Sequence, residues 1–238
     1  MRVFFTLFLI LISFACAHQS APHFVPAKTG LEKSVFPVYF TVGSYYSDNE
    51  YERILEPEYR ACAAVYVAKN VMITSDTVFL SREQNTRGLV HLNRIALIDG
   101  SHQIKVKDIT FYEKDGLTVI ETRETGVPMK LRQEPVRADS PLSVIGYRFK
   151  RNPGWKARAL WKRGPVSVDK EWLETVGDES IFVADLGLNH GLCGAPVLDE
   201  QNRLAGIVHL KYGRTTASVI SAKTIKRVLK EYYGDTPY

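Results

Sequence analysis

The stretch NHGLCGAPVLD, residues 189–199, places Cys193 two residues after Gly191, directly before Gly194 and three residues before Pro196. Glycines and a proline this close together hold the backbone in a tight irregular loop, and a thiol carried there is a candidate nucleophile. Outward from this loop the chain breaks into short runs rich in Val, Ile, Tyr and Phe, separated by turn-forming residues. Downstream lie APVLDEQNRLAGIVHLK and TASVISAK; upstream lie SIFVADLGLN, GPVSVD, PLSVIGYRF, LTVIETRETG, HQIKVKDITFYEKDG, LVHLNRIALIDG, NVMITSDTVFL and CAAVYVA. About a dozen such segments at regular spacing predict an all-β barrel or sandwich. One segment differs. In SAKTIKRVLKEYYG, Ile225, Val228, Leu229 and Tyr232 recur at helical spacing, Ser221 can cap the start and Gly234 can stop the helix.

The 238 residues are 45% hydrophobic and 24% charged, which argues against disorder and supplies enough chain for one large core or two small ones. The net charge of +5 is spread without a block of like charge, so composition gives no reason to expect specific nucleic-acid binding. The N-terminus, MRVFFTLFLILISFACAHQS, has one arginine, an apolar run from Val3 to Leu11 and then small residues. This is the plan of a secretory signal, and the run is short for a membrane-spanning helix. We therefore expect export to a periplasm or the exterior. Ala15-Cys16-Ala17 fits cleavage before His18, and lipid anchoring through Cys16 is the competing route. Of the three cysteines, Cys62 and Cys193 lie in the folded region, and the sequence does not decide whether they pair. No C-x-x-C or H-E-x-x-H spacing occurs, so neither a metal nor a cofactor is implied.

IFVADLGLNHGLCGAPVLDEQNRLAGIV resembles the nucleophile segment of chymotrypsin/trypsin-like proteases, closest to the HtrA-type branch. Gly146 in SVIGY, the strand Gly164-Pro165-Val166-Ser167 and the closing TASVISAKTIKRVL are similar to that branch in the same order, over roughly residues 35–233. The resemblance implies a double six-stranded antiparallel β-barrel with a C-terminal helix. The chain would divide into a signal at 1–17, a flexible leader at 18–34 and one double-barrel domain at 35–238, with barrel one over about 35–135, barrel two over about 136–220 and the helix over about 221–233.

The resemblance also implies a Ser-His-Asp site, and each of its positions has changed. Cys193 occupies the nucleophile position. The strand-turn that carries histidine has Thr77 in its place, and Val78 where the usual disulfide partner of Cys62 would stand. The acid position before the apolar run Leu117-Thr118-Val119-Ile120 is Gly116; Asp115 is one residue away, a step that turns a strand side chain to the opposite face. Backbone N–H groups of Gly191 and Cys193 would form the oxyanion hole, with Ala195 replacing a glycine. His209, fourth residue of Gly-Ile-Val-His, is a candidate unconventional base whose competing explanation is a half-buried strand histidine. His190 reads as a rim residue, and His91 and His102 as strand residues without partners. Gly187 sits where basic-specific relatives carry an acid, so no such specificity is expected.

A second feature is RFKRNPGWKARALWKRG, residues 148–164, in which Arg148, Lys150, Arg151 and Lys156 interleave with Trp155 and Trp161. Such a segment can touch anionic lipid or polyanions, or be a solvated hairpin whose charges protect a sheet edge. Two functional readings follow. One is a protease homologue that has lost turnover and binds a protein or peptide in its cleft as a scaffold in the envelope; three changes at three triad positions favour it. The other is an active endopeptidase using Cys193 with a base such as His209.

Overall fold

A computed structural model describes residues 30–48, 51–79, 88–96, 103–150, 156–176, 179–186, 192–212 and 215–234. Seven strands, β1 (Val35–Asp48), β2 (Tyr51–Ala68), β3 (Val71–Ser75), β4 (Gly88–Ala96), β5 (Gln103–Ile104), β6 (Val106–Tyr112) and β7 (Leu117–Thr122), form one antiparallel sheet in the order β5-β4-β1-β2-β3-β7-β6. Six more, β8 (Leu142–Lys150), β9 (Lys156–Val168), β10 (Ile181–Asp185), β11 (Pro196–Leu198), β12 (Leu204–Tyr212) and β13 (Thr216–Ser221), close into a barrel. Among the described residues there are two α-helices, α1 (Lys170–Val176) and α2 (Ala222–Tyr233). The all-β architecture with a C-terminal helix is as the sequence predicts. Its first unit has seven strands because the short β5 adds to β4 through Ile95↔Ile104.

The central strands of the first sheet are apolar on both faces, which explains why CAAVYVA shows no polar alternation. Along β2, Cys62, Ala64 and Tyr66 point into a cluster with Phe36, Val38, Met72 and Ile120. Ala63, Val65 and Val67 point the other way and join Ile73 and Val119 in a larger cluster that continues into the barrel residues Ile145, Val197 and Ile207. Side-chain parity therefore separates an inner core from the junction between the two units. Tyr147, from β8, is buried at that junction and donates its hydroxyl to the Val35 carbonyl at 2.6 Å.

Helix α2 forms where its periodicity places it. The Ser221 hydroxyl accepts from the Thr224 N–H, Gly234 ends the helix, and Ile225, Val228 and Leu229 are fully buried, each stabilising by about 1.5–3 kcal/mol. Helix α1 was not expected, since its seven residues are too few to display a period. Asp169 starts it by accepting from the Trp172 N–H at 2.9 Å. The connection between the units, residues 123–141, pairs briefly with β12: the Leu204 N–H donates to Lys130 and the Arg132 N–H to the Leu204 carbonyl. Among the described residues no helix is long and apolar enough to cross a membrane.

Candidate functional site

The parity that sorts β3 also sets the site. Thr74 falls on the inner face, where its hydroxyl donates to the Ala63 carbonyl at 2.7 Å and lies 3.6 Å from the Cys62 thiol. Ser75, one residue on, faces the junction. It ends the strand and caps the 3-10 turn Asp76–Val78, accepting from the Thr77 N–H at 3.3 Å. A second 3-10 turn, Glu113–Asp115, ends at Gly116 with φ +68, a left-handed conformation that favours glycine. The Asp76 N–H donates to the Gly116 carbonyl at 2.9 Å and locks the two turns together.

Cys193 is brought to this junction by a loop clamped from both sides. The Ala63 N–H donates to the Cys193 carbonyl at 3.2 Å, and the Gly194 N–H donates to Val208 at 2.8 Å. Gly194 has φ +75, and a Cβ there would stand 2.0 Å from the Ala63 carbonyl oxygen. Glycine is therefore required at 194. Ala195 does not have positive φ, so replacing a glycine there introduces no backbone strain.

His209, on β12, is the hub of the polar contacts. Its backbone carbonyl accepts from the Thr77 hydroxyl at 3.1 Å and from the Cys193 thiol at 3.5 Å. Thr77 and Cys193 thus converge on one oxygen. The imidazole points elsewhere, with Nδ1 2.9 Å from the Ser75 hydroxyl, which in turn lies 2.7 Å from the Thr77 hydroxyl. All three contacts are satisfied together by one proton arrangement: Nδ1–H donates to Ser75, Ser75 to Thr77, and Thr77 to the His209 carbonyl. That cycle places the imidazole proton on Nδ1 and leaves the lone pair on Nε2.

The ring rests on Gly116. A Cβ at that residue would be 2.6 Å from Cε1 of His209 and 3.0 Å from Nδ1. The glycine found at the expected acid position is thus the space the histidine fills. Asp115 turns away and binds Arg227 of α2. The acidic group next to the imidazole is Asp76, whose Oδ1 lies 3.7 Å from Nδ1 and has no hydrogen-bond partner. Burial pushes the Asp76 carboxyl up to about 6, and burial holds the His209 imidazole below its ordinary value. Ser75 and Asp76 were not singled out from sequence; the available signal was an unbroken polar run, Thr74-Ser75-Asp76-Thr77, closing an otherwise apolar strand.

Among the described residues neither Cys62 nor Cys193 is in a disulfide. Cys62 is fully buried, and burial drives its thiol up to about 12, with the Thr74 bond opposing and nearby Cys193 reinforcing the shift. Gly187, His190 and Gly191 lie outside the described residues, as do His102, Arg151, Trp155, Cys16 and the leader. Arg148, Lys150, Lys156 and Trp161 lie on the β8–β9 hairpin, whose register pairs Lys150 with Lys156 and Gly146 with Trp161. His91 lies on β4 opposite Thr41. Among the described residues no group of His, Cys, Asp and Glu could hold a metal ion.

No protein-family model and no curated protein matches the chain. Solved structures do. The active form of the Rv3671c protease from M. tuberculosis superimposes with a TM-score of 0.56 at 12% identity, covering 88% of this chain and 85% of that one. An inactive form of the same protease gives 0.53 at 14% identity, covering 85% and 90%. An inactive alanine-for-serine mutant gives 0.52 at 12% identity, covering 91% and 98%. The chain therefore has the chymotrypsin/trypsin-like fold, and its structural neighbours include active and inactive forms of a protease.

Proposed function

We propose that this chain is an exported protein of the trypsin-like fold that has given up peptide-bond hydrolysis and uses its cleft to bind a protein or peptide in the cell envelope. One observation supports the reading: the hydroxyl of Thr77, read from sequence as the general-base position, and the Cys193 thiol donate to the same His209 carbonyl. Acyl transfer needs a proton acceptor within hydrogen-bond reach of the nucleophile. A backbone carbonyl holds a thiol proton in place and does not take it up. The imidazole faces Ser75 through Nδ1, and a threonine hydroxyl, with a pKa far above neutrality, is no substitute base.

A second reading has one observation in its favour. The hydrogen-bond cycle leaves Nε2 of His209 as an unprotonated nitrogen, and Asp76 stands near enough to stabilise an imidazolium. An endopeptidase using Cys193 would need that nitrogen to swing toward the thiol, which breaks the bond to Ser75. The pH dependence of Cys193 alkylation by iodoacetamide separates the two, with Cys62→Ser as background and His209→Ala in parallel. A thiol of the binding protein titrates near the free value of about 8.5 and is indifferent to His209→Ala. A midpoint more than a unit lower that moves when His209 is removed, together with cleavage of a peptide library, would overturn the proposal. The export and the lipid-facing role of the 148–164 hairpin belong to the same proposal. Fractionation of the expressed full chain, and vesicle co-sedimentation with and without anionic lipid, test them.

A further inference from the structure

A cavity of about 790 Å³ is lined by neither Cys193, Thr77 nor His209. It opens between the connecting segment 132–138, helix α1 and the first turn of α2. Its size falls within the range of about 300–1,000 Å³ typical of sites for small organic ligands. Leu173, Phe182, Ala205 and Ala222 give it apolar walls.

The charges around the walls do not cancel. Every carboxylate lining the cavity already has a cation: Glu174 pairs with Lys170 at 3.5 Å, Glu179 with Lys223 at 2.9 Å, and Glu134 with Arg203, which lies outside the cavity, at 3.2 Å. Three lining cations are in no ion pair among the described residues. The Arg132 guanidinium is fixed by the Glu134 and Pro135 carbonyls, at 3.0 and 3.3 Å, and by the Ser140 hydroxyl at 3.4 Å. Lys226 donates to the Gln133 amide oxygen at 2.6 Å. Arg137, exposed at the mouth, has no side-chain partner among the described residues. Neutral acceptors orient the first two, and the five lining cations outnumber the three lining carboxylates, so the walls carry a net positive charge.

We propose that this cavity is a binding site for a small amphiphilic organic anion, its acidic head held by Arg132, Arg137 and Lys226 and its apolar body set against Leu173 and Phe182. The site is independent of the cleft and does not rest on the reading of Cys193.

The test uses two fluorescent probes of similar shape on the folded protein: 8-anilinonaphthalene-1-sulfonate, an anion, and N-phenyl-1-naphthylamine, its neutral counterpart. The anion is expected to bind saturably with one site per chain, at least tenfold more tightly than the neutral probe. Arg137→Glu, at an exposed position, and Lys226→Glu, at a half-buried one whose folding is checked by its urea midpoint, should each weaken the anion about five- to tenfold and leave the neutral probe unchanged. Ala138→Trp, which fills the mouth from a half-buried position, should abolish both, while Cys193 alkylation stays as in the parent. Non-saturable binding, or equal affinity for the anion in the parent and both charge reversals, overturns the assignment.

Discussion

Replacing Gly116 with alanine tests the central geometric feature of the site, the seating of the His209 ring on a residue without a side chain. Two costs are separable. The first is conformational: Gly116 has φ +68, and a left-handed residue with a Cβ costs about 1–2 kcal/mol wherever it stands. The second is steric and belongs to one neighbour. The new Cβ would lie 2.6 Å from Cε1 of His209, so the ring must move, losing the 2.9 Å bond to Ser75 and leaving its preferred rotamer. A net hydrogen bond is worth about 0.5–1.5 kcal/mol and an off-rotamer side chain about the same. Gly116→Ala should therefore lose about 3 kcal/mol in the parent and only about 1.5 kcal/mol when His209 is already alanine. Urea unfolding of the four proteins, with midpoints compared at a common m value, gives the coupling directly. Equal costs in the two backgrounds would refute the packing of the ring on Gly116, and with it the explanation of why no acid stands there.

Three further outcomes follow from the same coordinates. Gly194→Ala should cost more than 3 kcal/mol or prevent folding, because its Cβ would stand 2.0 Å from the Ala63 carbonyl and 2.1 Å from the Thr74 hydroxyl; a variant with the parent's urea midpoint would refute the clamp. In the native protein Cys62 should resist alkylation at pH 8 and react only after unfolding, since its thiol is fully buried and raised to about 12; mass spectrometry of labelled peptides reads this, and native labelling of Cys62 contradicts it. Asp76 holds its proton more tightly folded than unfolded, so its contribution to stability falls as pH rises from about 4 through 6, by on the order of 2 kcal/mol. His209, lowered by burial, acts in the opposite sense, stability rising as pH climbs toward its ordinary value. The stability of Asp76→Asn relative to the parent should accordingly grow between pH 4 and pH 7, and a flat difference would refute the burial of this carboxyl.

What the sequence discloses here follows from how far each property is local. The strands were legible because CAAVYVA and GLTVIE carry β-branched residues without a helical period, and α2 because Ile225, Val228 and Leu229 repeat at one. Helix α1 was hidden because it spans two turns and is fixed by one cap, Asp169. At the site, Thr77 and Cys193, singled out by spacing, both reach one oxygen. Which way the His209 ring turns could not be read, since it depends on Ser75, a residue 134 positions away. That orientation changes how the departures from the triad pattern should be counted. From sequence they are three separate departures, at Thr77, Gly116 and Cys193. In the structure the first two belong to one packing solution: glycine at 116 makes room for the imidazole, the imidazole donates to Ser75, and Ser75 donates to Thr77. A histidine at 77 would remove the hydroxyl that closes this cycle, and an acid at 116 would strike the ring. Neither triad-type side chain is compatible with His209 as it sits, so introducing one alone disturbs the arrangement that the other two residues support. The third change, a thiol at 193, is held by the same histidine through its backbone, which ties the geometry of the whole site to β12 rather than to the turns where the triad pattern is sought.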